Sequence, residues 1–280
     1  MKYILGIPSA WGSFFNGPEV SPAAIREAGL IDAFKSRDVV FEDLGDLQLL
    51  PLMSRHSVPP IRHYPSPRIV WELTLNELEP VIRKSKRVLL LGGDCSIVVG
   101  SMTAMHNVYG NSAYLLYLDG HMDCEIPVAD KCAGAAGFGL YLLTEQNPFW
   151  PSPAITEQQL LIAGVHVMPA NCKKILPHLS LAKMRKTGIR DSALKILSAI
   201  GADMKILVHL DVDVMNQESM PAAYSPSEEG LTLDEMQELL SVVMHDQRVK
   251  LLEITEFDPL KDPEGKSGAD IVKLLSGFSW

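Results

Sequence analysis

The sequence predicts an α/β fold with a mainly parallel sheet, and three observations carry that prediction. Short apolar runs alternate with helical patterns along the chain, the order that βαβ units produce. Several of these runs, Val88-Leu89-Leu90-Leu91 among them, are apolar at every position, as expected of strands covered by helices on both faces. Acidic side chains, in two cases with histidine or cysteine beside them, stand directly after three such runs, where a parallel sheet presents its carboxyl edge.

In chain order, the first strand is expected at Tyr3–Ile7, with its short apolar start read as a strand rather than a secretory segment, which would be longer. A helix follows over Pro22–Phe34, its start marked by Ser21 as a cap and Pro22 at the first position. Further strands are expected at Val39–Glu42, Arg87–Leu91, Ala113–Leu118, Gln159–Gly164, Lys205–Leu210 and Lys250–Thr255, with helices at Trp71–Lys84 and Leu233–Met244. The Pro-, Ser-, His- and Arg-rich stretch Leu50–Pro67 reads as a long loop, and Pro148–Pro153 as a second irregular stretch. Strand-helix alternation resumes after each without a change of composition, so residues 1–280 are expected to form a single domain.

At 280 residues, 47% hydrophobic and 21% charged, the chain has the make-up of an ordinary globular protein with a sizeable core. No apolar run reaches the ~18 residues of a membrane span. A formal charge of −9 argues against nucleic acid as a partner, since phosphate binding needs clustered Lys and Arg. Cys95, Cys124, Cys132 and Cys172 lie far apart with no C-x-x-C pair, which points to a reducing, cytoplasmic setting rather than a disulfide framework. Cys124, Cys132 and Cys172 read as packing residues.

The chemistry is concentrated in Gly92-Gly93-Asp94-Cys95-Ser96, Asp119-Gly120-His121-Met122-Asp123 and Val208-His209-Leu210-Asp211-Val212-Asp213. Asp119, Asp123, Asp211 and Asp213 would gather at the edge of a core, where neighbouring carboxylates cannot all stay ionised unless a cation joins them. One D-x-D after a strand is weak evidence, because many are solvated loops. All three segments together are a specific signal. His209 lies within a strand and reads as a satisfied core or supporting histidine. His63, in the long loop, reads as solvated.

These segments resemble the ureohydrolase motifs G-G-D-H-S, D-A-H-x-D and S-x-D-x-D, those of the arginase, agmatinase and formimidoylglutamase superfamily. The resemblance extends to Gly17-Pro18 with Ile25-Arg26-Glu27-Ala28-Gly29-Leu30, to Asp43-Leu44-Gly45-Asp46, to Pro221, Pro226 and Gly230-Leu231-Thr232, and to Glu253-Ile254-Thr255-Glu256 with Pro259. It therefore covers nearly the whole chain. It implies a three-layer α/β/α fold with about eight strands, a binuclear centre, and hydrolysis of a C–N bond in a linear guanidino or amidine compound. It further implies a homo-oligomer, a trimer or hexamer. Asp119 and Asp211 would bridge two metals, His121 and Asp213 would complete one site, and Cys95 and Asp123 the other. Asp123 would also orient the attacking hydroxide, and Glu256 would accept hydrogen bonds from the guanidinium. The implied metal is Mn²⁺, with Zn²⁺, Fe²⁺, Co²⁺ or Ni²⁺ as alternatives.

Three departures bear on function. Cys95 replaces the motif's histidine, and a thiolate is softer than imidazole, favouring Zn²⁺, Fe²⁺ or Co²⁺; a buried cysteine with no ligand role is the other reading. With Asp-Gly-His at 119–121, this pattern resembles the branch of Nω-hydroxy-L-arginine hydrolase. Gly134-Ala135-Ala136-Gly137 has alanine where the family's proton-donating histidine is expected. Gly164-Val165-His166-Val167-Met168-Pro169 lacks the arginine and acids that hold an amino-acid substrate in arginases. A catalytically silent relative that binds metal weakly or acts as a partner protein is the alternative function. For Glu256, the alternative is a surface carboxylate.

Overall fold

The computed structural model describes residues 1–50, 53–151 and 153–280; Pro51 and Leu52 of the first irregular stretch and Ser152 of the second lie outside them. Along the chain come β1 (Lys2–Gly6), α1 (Ser21–Glu27), α2 (Leu30–Lys35), β2 (Glu42–Asp46), α3 (Ser66–Lys84), β3 (Arg87–Leu91), α4 (Val98–Tyr109) and β4 (Ala113–Leu118). Then follow α5 (Gly139–Thr144), β5 (Leu160–Val165), β6 (His178–Ser180), α6 (Leu181–Thr187), α7 (Ile189–Ala199), β7 (Lys205–Asp211), α8 (Leu233–Val243), β8 (Val249–Thr255) and α9 (Lys266–Ser276). The strands form one sheet in the order β2-β1-β3-β8-β7-β4-β5-β6, and every pairing is parallel.

Helices cover both faces, which is why the central strands carry no polar side until their ends. Alternate residues of β3 illustrate it. Leu89 and Leu91 face a core shared with Phe34, Ile196, Leu239 and Leu275, from α2, α7, α8 and α9. Val88 and Leu90 face the opposite core, built with Trp71, Leu78, Met102 and Leu140 of α3, α4 and α5. Each fully buried Leu contributes about 1.5–3 kcal/mol, so these two cores dominate the driving force for the three layers. Among the described residues no helix is long and apolar enough to cross a membrane.

Three expectations are corrected, and one strand is new. The second strand lies later than Val39–Glu42: Val39 and Phe41 pack into the core, while Glu42–Asp46 pairs with β1. As an edge strand it tolerates a polar sequence, and Arg26 of α1 secures it through Asp43 and Asp46. The helix expected over Pro22–Phe34 is two helices, because Gly29 adopts a left-handed conformation (φ 95°) between them. Ser21 does not cap; it is already helical, and its hydroxyl is buried without a partner. The short edge strand β6 offers three residues, too few for a periodic signal.

Candidate metal centre

The centre forms where β3, β8, β7 and β4 lie side by side, so the three chemistry-bearing segments and the end of β8 share one edge. After β3 the chain turns through Gly92-Gly93. A side chain on Gly93 would meet the Ser9 carbonyl oxygen at 1.8 Å, so only glycine lets the two loops approach. Asp94, fully buried, spends its carboxylate on Ser9 Oγ (2.9 Å), Gly12 N (3.0 Å) and Ser96 N (3.0 Å). It is a tie between loops, and Cys95 is the residue this turn delivers to the cavity.

Cys95 Sγ stands 2.8 Å from Asp211 Oδ2, 3.1 Å from Thr255 Oγ1 and 3.3 Å from His209 Nε2. Cys95 thus sits among polar groups and not in an apolar pocket. Its amide donates to Glu256 Oε1 (2.7 Å), and Glu256 is buried, not a surface carboxylate. Asp119 Oδ1 accepts from the His121 amide (2.6 Å), and His121 Nδ1 is 3.1 Å from Asp213 Oδ2. Asp211 Oδ1 accepts from the Asp213 amide (2.7 Å). Asp123 Oδ2 accepts from the Tyr117 hydroxyl (2.6 Å). Asp123 and Glu256 both hold left-handed backbone (φ 42° and 62°), a conformation of non-glycine residues that concentrates at functional sites.

Three groups of donor atoms lie within 4.8 Å of one another: Asp119, His121 and Asp213; Cys95, Asp211 and Glu256; and Cys95, Asp119 and His209. Asp123 lines the same cavity but stands outside these groups. Asp119 Oδ2, Asp213 Oδ1 and Glu256 Oε2 are buried with no hydrogen-bond partner. A buried, unpartnered carboxylate oxygen costs too much to leave unexplained, and divalent cations are the partners this donor set fits.

The protonation of the protein groups tells the same story. Burial first, then the charge of their neighbours, pushes Asp123, Asp211 and Glu256 well above the usual carboxylate range. Burial and then Asp211 push the Cys95 thiol up. His121 is raised to about 12, burial being outweighed by its bonds to Asp119 and Asp213. Positive charge in this cavity would relieve the cluster.

The cavity measures ≈ 210 Å³ and is lined by Cys95, His121, Asp123, Asp211, Asp213 and Glu256, together with Gly134, Ala136 and Gly137. Of the two alanines in the stretch where the acid histidine is expected, Ala136 is the one that lines the cavity. Val167, Met168 and Pro169 make one apolar side of an adjoining hollow of ≈ 160 Å³ that His121, Asp123 and Glu125 also line. His63 is not solvated. It is buried, with Nδ1 2.9 Å from the His56 amide and Nε2 3.1 Å from Arg62 Nε, one of the two nitrogens serving as acceptor in the neutral ring. Burial and then Arg62 hold its pKa down, and it lines a neighbouring cavity rather than this one.

Sequence reading overlooked several contributors. His209 is buried as expected, yet its Nε2 points at the centre; Glu253 Oε1 (2.7 Å) holds its Nδ1, and Tyr117 stacks on its ring at 4.0 Å. Register supplies the signal that was missed, because Tyr117, His209 and Glu253 are cross-strand neighbours. Tyr224 ties the rim, its amide bonded to the Glu256 carbonyl and its hydroxyl accepting from the amides of Phe14 and Phe15.

Residues 2–277 match the profile of the arginase family. The chain is 26% identical over 290 residues to the arginase of Staphylococcus aureus (strain MRSA252), covering 98% of this chain and 95% of that protein. It is 26% identical over 282 residues to arginase-1 of Bos taurus, covering 93% and 86%. The solved arginase of Bacillus caldovelox superposes with a TM-score of 0.88 at 21% identity, over 99% of this chain and 97% of that one.

Proposed function

The chain belongs to the arginase family, and from that premise we propose that it hydrolyses a C–N bond of a linear guanidino or amidine compound at a binuclear metal centre. One observation carries this reading: buried acids from β4, β7 and β8 converge with oxygens that no protein group satisfies. Asp119 and Asp211 would be shared between two ions, His121 and Asp213 completing one site, Cys95 and Asp123 the other. Bound divalent cations supply positive charge to the cluster and lower the pKa of a water from 15.7 toward about 7. The oxygen-rich side suits Mn²⁺; the Cys95 side suits Zn²⁺, Fe²⁺ or Co²⁺ as well.

The residues divide the remaining work. Tyr117 fixes Asp123 Oδ2, which leaves Oδ1 to orient and receive a proton from the attacking water. Glu256 Oε2, unpartnered in the protein, accepts an N–H of the planar cation, a charge-assisted pairing. The wall at Ala136 supplies no proton to the leaving nitrogen, a loss of roughly 10²–10⁴-fold for a basic leaving group. The preferred substrate is therefore a guanidine whose leaving nitrogen is weakly basic, such as a hydroxyguanidine that expels its N–O nitrogen as hydroxylamine, and L-arginine is a poor one.

The test is metal analysis of the purified protein, then kcat/KM by chromatographic quantification of the products (urea for the plain guanidines, hydroxyurea or hydroxylamine for the hydroxyguanidine) with L-arginine, agmatine, a guanidino acid and Nω-hydroxy-L-arginine and with Mn²⁺, Co²⁺ and Zn²⁺. Highest efficiency on L-arginine overturns the substrate assignment. Absence of turnover with every metal and substrate overturns the hydrolase reading in favour of a silent relative.

A further inference from the structure

Beyond the ligands assigned above, and resting on that binuclear reading, we propose that His209 is a metal ligand, its Nε2 binding the same cation as Cys95 and Asp119. The motif pattern has histidine at position 95 and serine at position 209, whereas this chain has cysteine and histidine. The imidazole has moved from the turn after β3 to the neighbourhood of the same ion on β7.

Geometry supports the transfer. His209 is fully buried in the sheet, and its ring has no freedom. Tyr117 stacks on one face at 4.0 Å and an interplanar angle of 2°. Glu253 Oε1 accepts from Nδ1 at 2.7 Å, while Glu253 Oε2 accepts from Ser101 Oγ at 2.6 Å, so the carboxylate is itself held. A carboxylate on one ring nitrogen fixes the proton there and leaves the lone pair on the other, the usual support of a metal-bound histidine. Nε2 then faces Cys95 Sγ at 3.3 Å, and both lie in one group with an Asp119 oxygen. Two ligands on one tetrahedral ion, with bonds of ~2.3 Å to sulfur and ~2.0 Å to nitrogen, stand about 3.5 Å apart. Thr255 Oγ1 also stands 3.3 Å from Nε2, so the metal-free protein can satisfy this nitrogen with a hydroxyl or the Cys95 thiol, both of which a cation would displace. The thioether-free, two-nitrogen chemistry of the centre also becomes even: one imidazole for each ion, His121 and His209.

Co²⁺ is the probe. The wild-type protein should take up two ions per chain and show near-ultraviolet thiolate-to-cobalt absorption. His209→Asn should fall to one ion per chain and lose that absorption, because losing a ligand exceeds the ~10–100-fold cost of losing a supporting partner. Glu253→Gln should weaken the sulfur-bound ion alone by about 10–100-fold. Should His209→Asn fail to fold, His121→Ala, at a partly exposed position, leaves the core intact. X-ray absorption of its remaining Co²⁺ should show sulfur and imidazole in one coordination shell. Two ions with unchanged absorption in folded His209→Asn, or sulfur without imidazole in His121→Ala, overturns the proposal while the hydrolase reading stands. Sulfur-free Co²⁺ in the wild type also overturns it and leaves turnover to decide the function. No metal uptake at all sinks both.

Discussion

Replacing Gly120 with alanine restores the motif residue and should nonetheless destabilise this protein. A methyl group there would lie 2.4 Å from His166 Cε1, 2.8 Å from its Nε2 and 3.2 Å from the Asp213 carbonyl oxygen. The Gly120 backbone cannot retreat cheaply, because its carbonyl accepts from the amides of both His166 and Val167 (3.0 and 2.9 Å). The ring must move instead, and it gives up the bond between Nδ1 and the Gly164 carbonyl (3.0 Å). A lost hydrogen bond costs about 0.5–1.5 kcal/mol and residual overpacking about 1–3 kcal/mol. At roughly 2–4 °C per kcal/mol for a chain of this class, Tm should fall by about 3–18 °C. Thermal unfolding in EDTA isolates this effect from metal binding. The double variant Gly120→Ala/His166→Ala should recover part of the loss, with a coupling energy of about 0.5–3 kcal/mol. An unchanged Tm in the single variant, or strict additivity in the double, would refute the reasoning.

Further outcomes follow from the centre. Asp211→Asn should sharply lower bound metal and remove the metal-dependent rise in Tm; unchanged stoichiometry by elemental analysis rejects Asp211 as a shared ligand. In EDTA, stability should fall as pH rises above about 4. Burial and neighbouring charge raise Asp123, Asp211 and Glu256 in the folded protein, so it binds more protons than the unfolded chain. Asp119 runs the other way, since its bonds to His121 outweigh burial, but it is outnumbered. Saturating metal should reverse the trend, because ions displace those protons; urea midpoints across pH check both signs. Cys95→His alone should crowd His209, whose Nε2 is 3.3 Å from the present sulfur. Cys95→His/His209→Ser should hold Mn²⁺ more tightly than either single variant, as titration calorimetry would show.

Much of the fold was legible because its strands are apolar on both faces. Arg87–Leu91 and Ala113–Leu118 have the bounds their sequences give, since burial from both sides leaves no ambiguity about where the strand ends. The edge was less legible. Glu42–Asp46 is stabilised by backbone pairing to β1 and by Arg26, not by apolar side chains, so its polar sequence resembles a turn. The break at Gly29 was obscured by an apolar pattern that runs through it on both sides.

The site was legible as motifs and illegible as pairs. Cys95 and Gly120, taken one at a time, read as losses from a pattern. In the folded protein each stands against a second departure: Cys95 against His209, 114 positions away in the chain, and Gly120 against His166. A single sequence carries no record of which distant residues touch, so compensations of this kind are visible only once register is known. Ala136 is different. It faces the cavity between Gly134 and Gly137, and the titratable groups that share the lining are the acids of the centre, Cys95, His121, Glu125 and Tyr224. His63, another imidazole the sequence offered, lines a different cavity, and burial and Arg62 hold its pKa down. The Cys95–His209 pair thus keeps cation donors together, while Ala136 leaves His121 as the one imidazole among the described residues that line the cavity. On the proposed function, a centre altered in that way would favour guanidines whose leaving group departs without a proton from this wall.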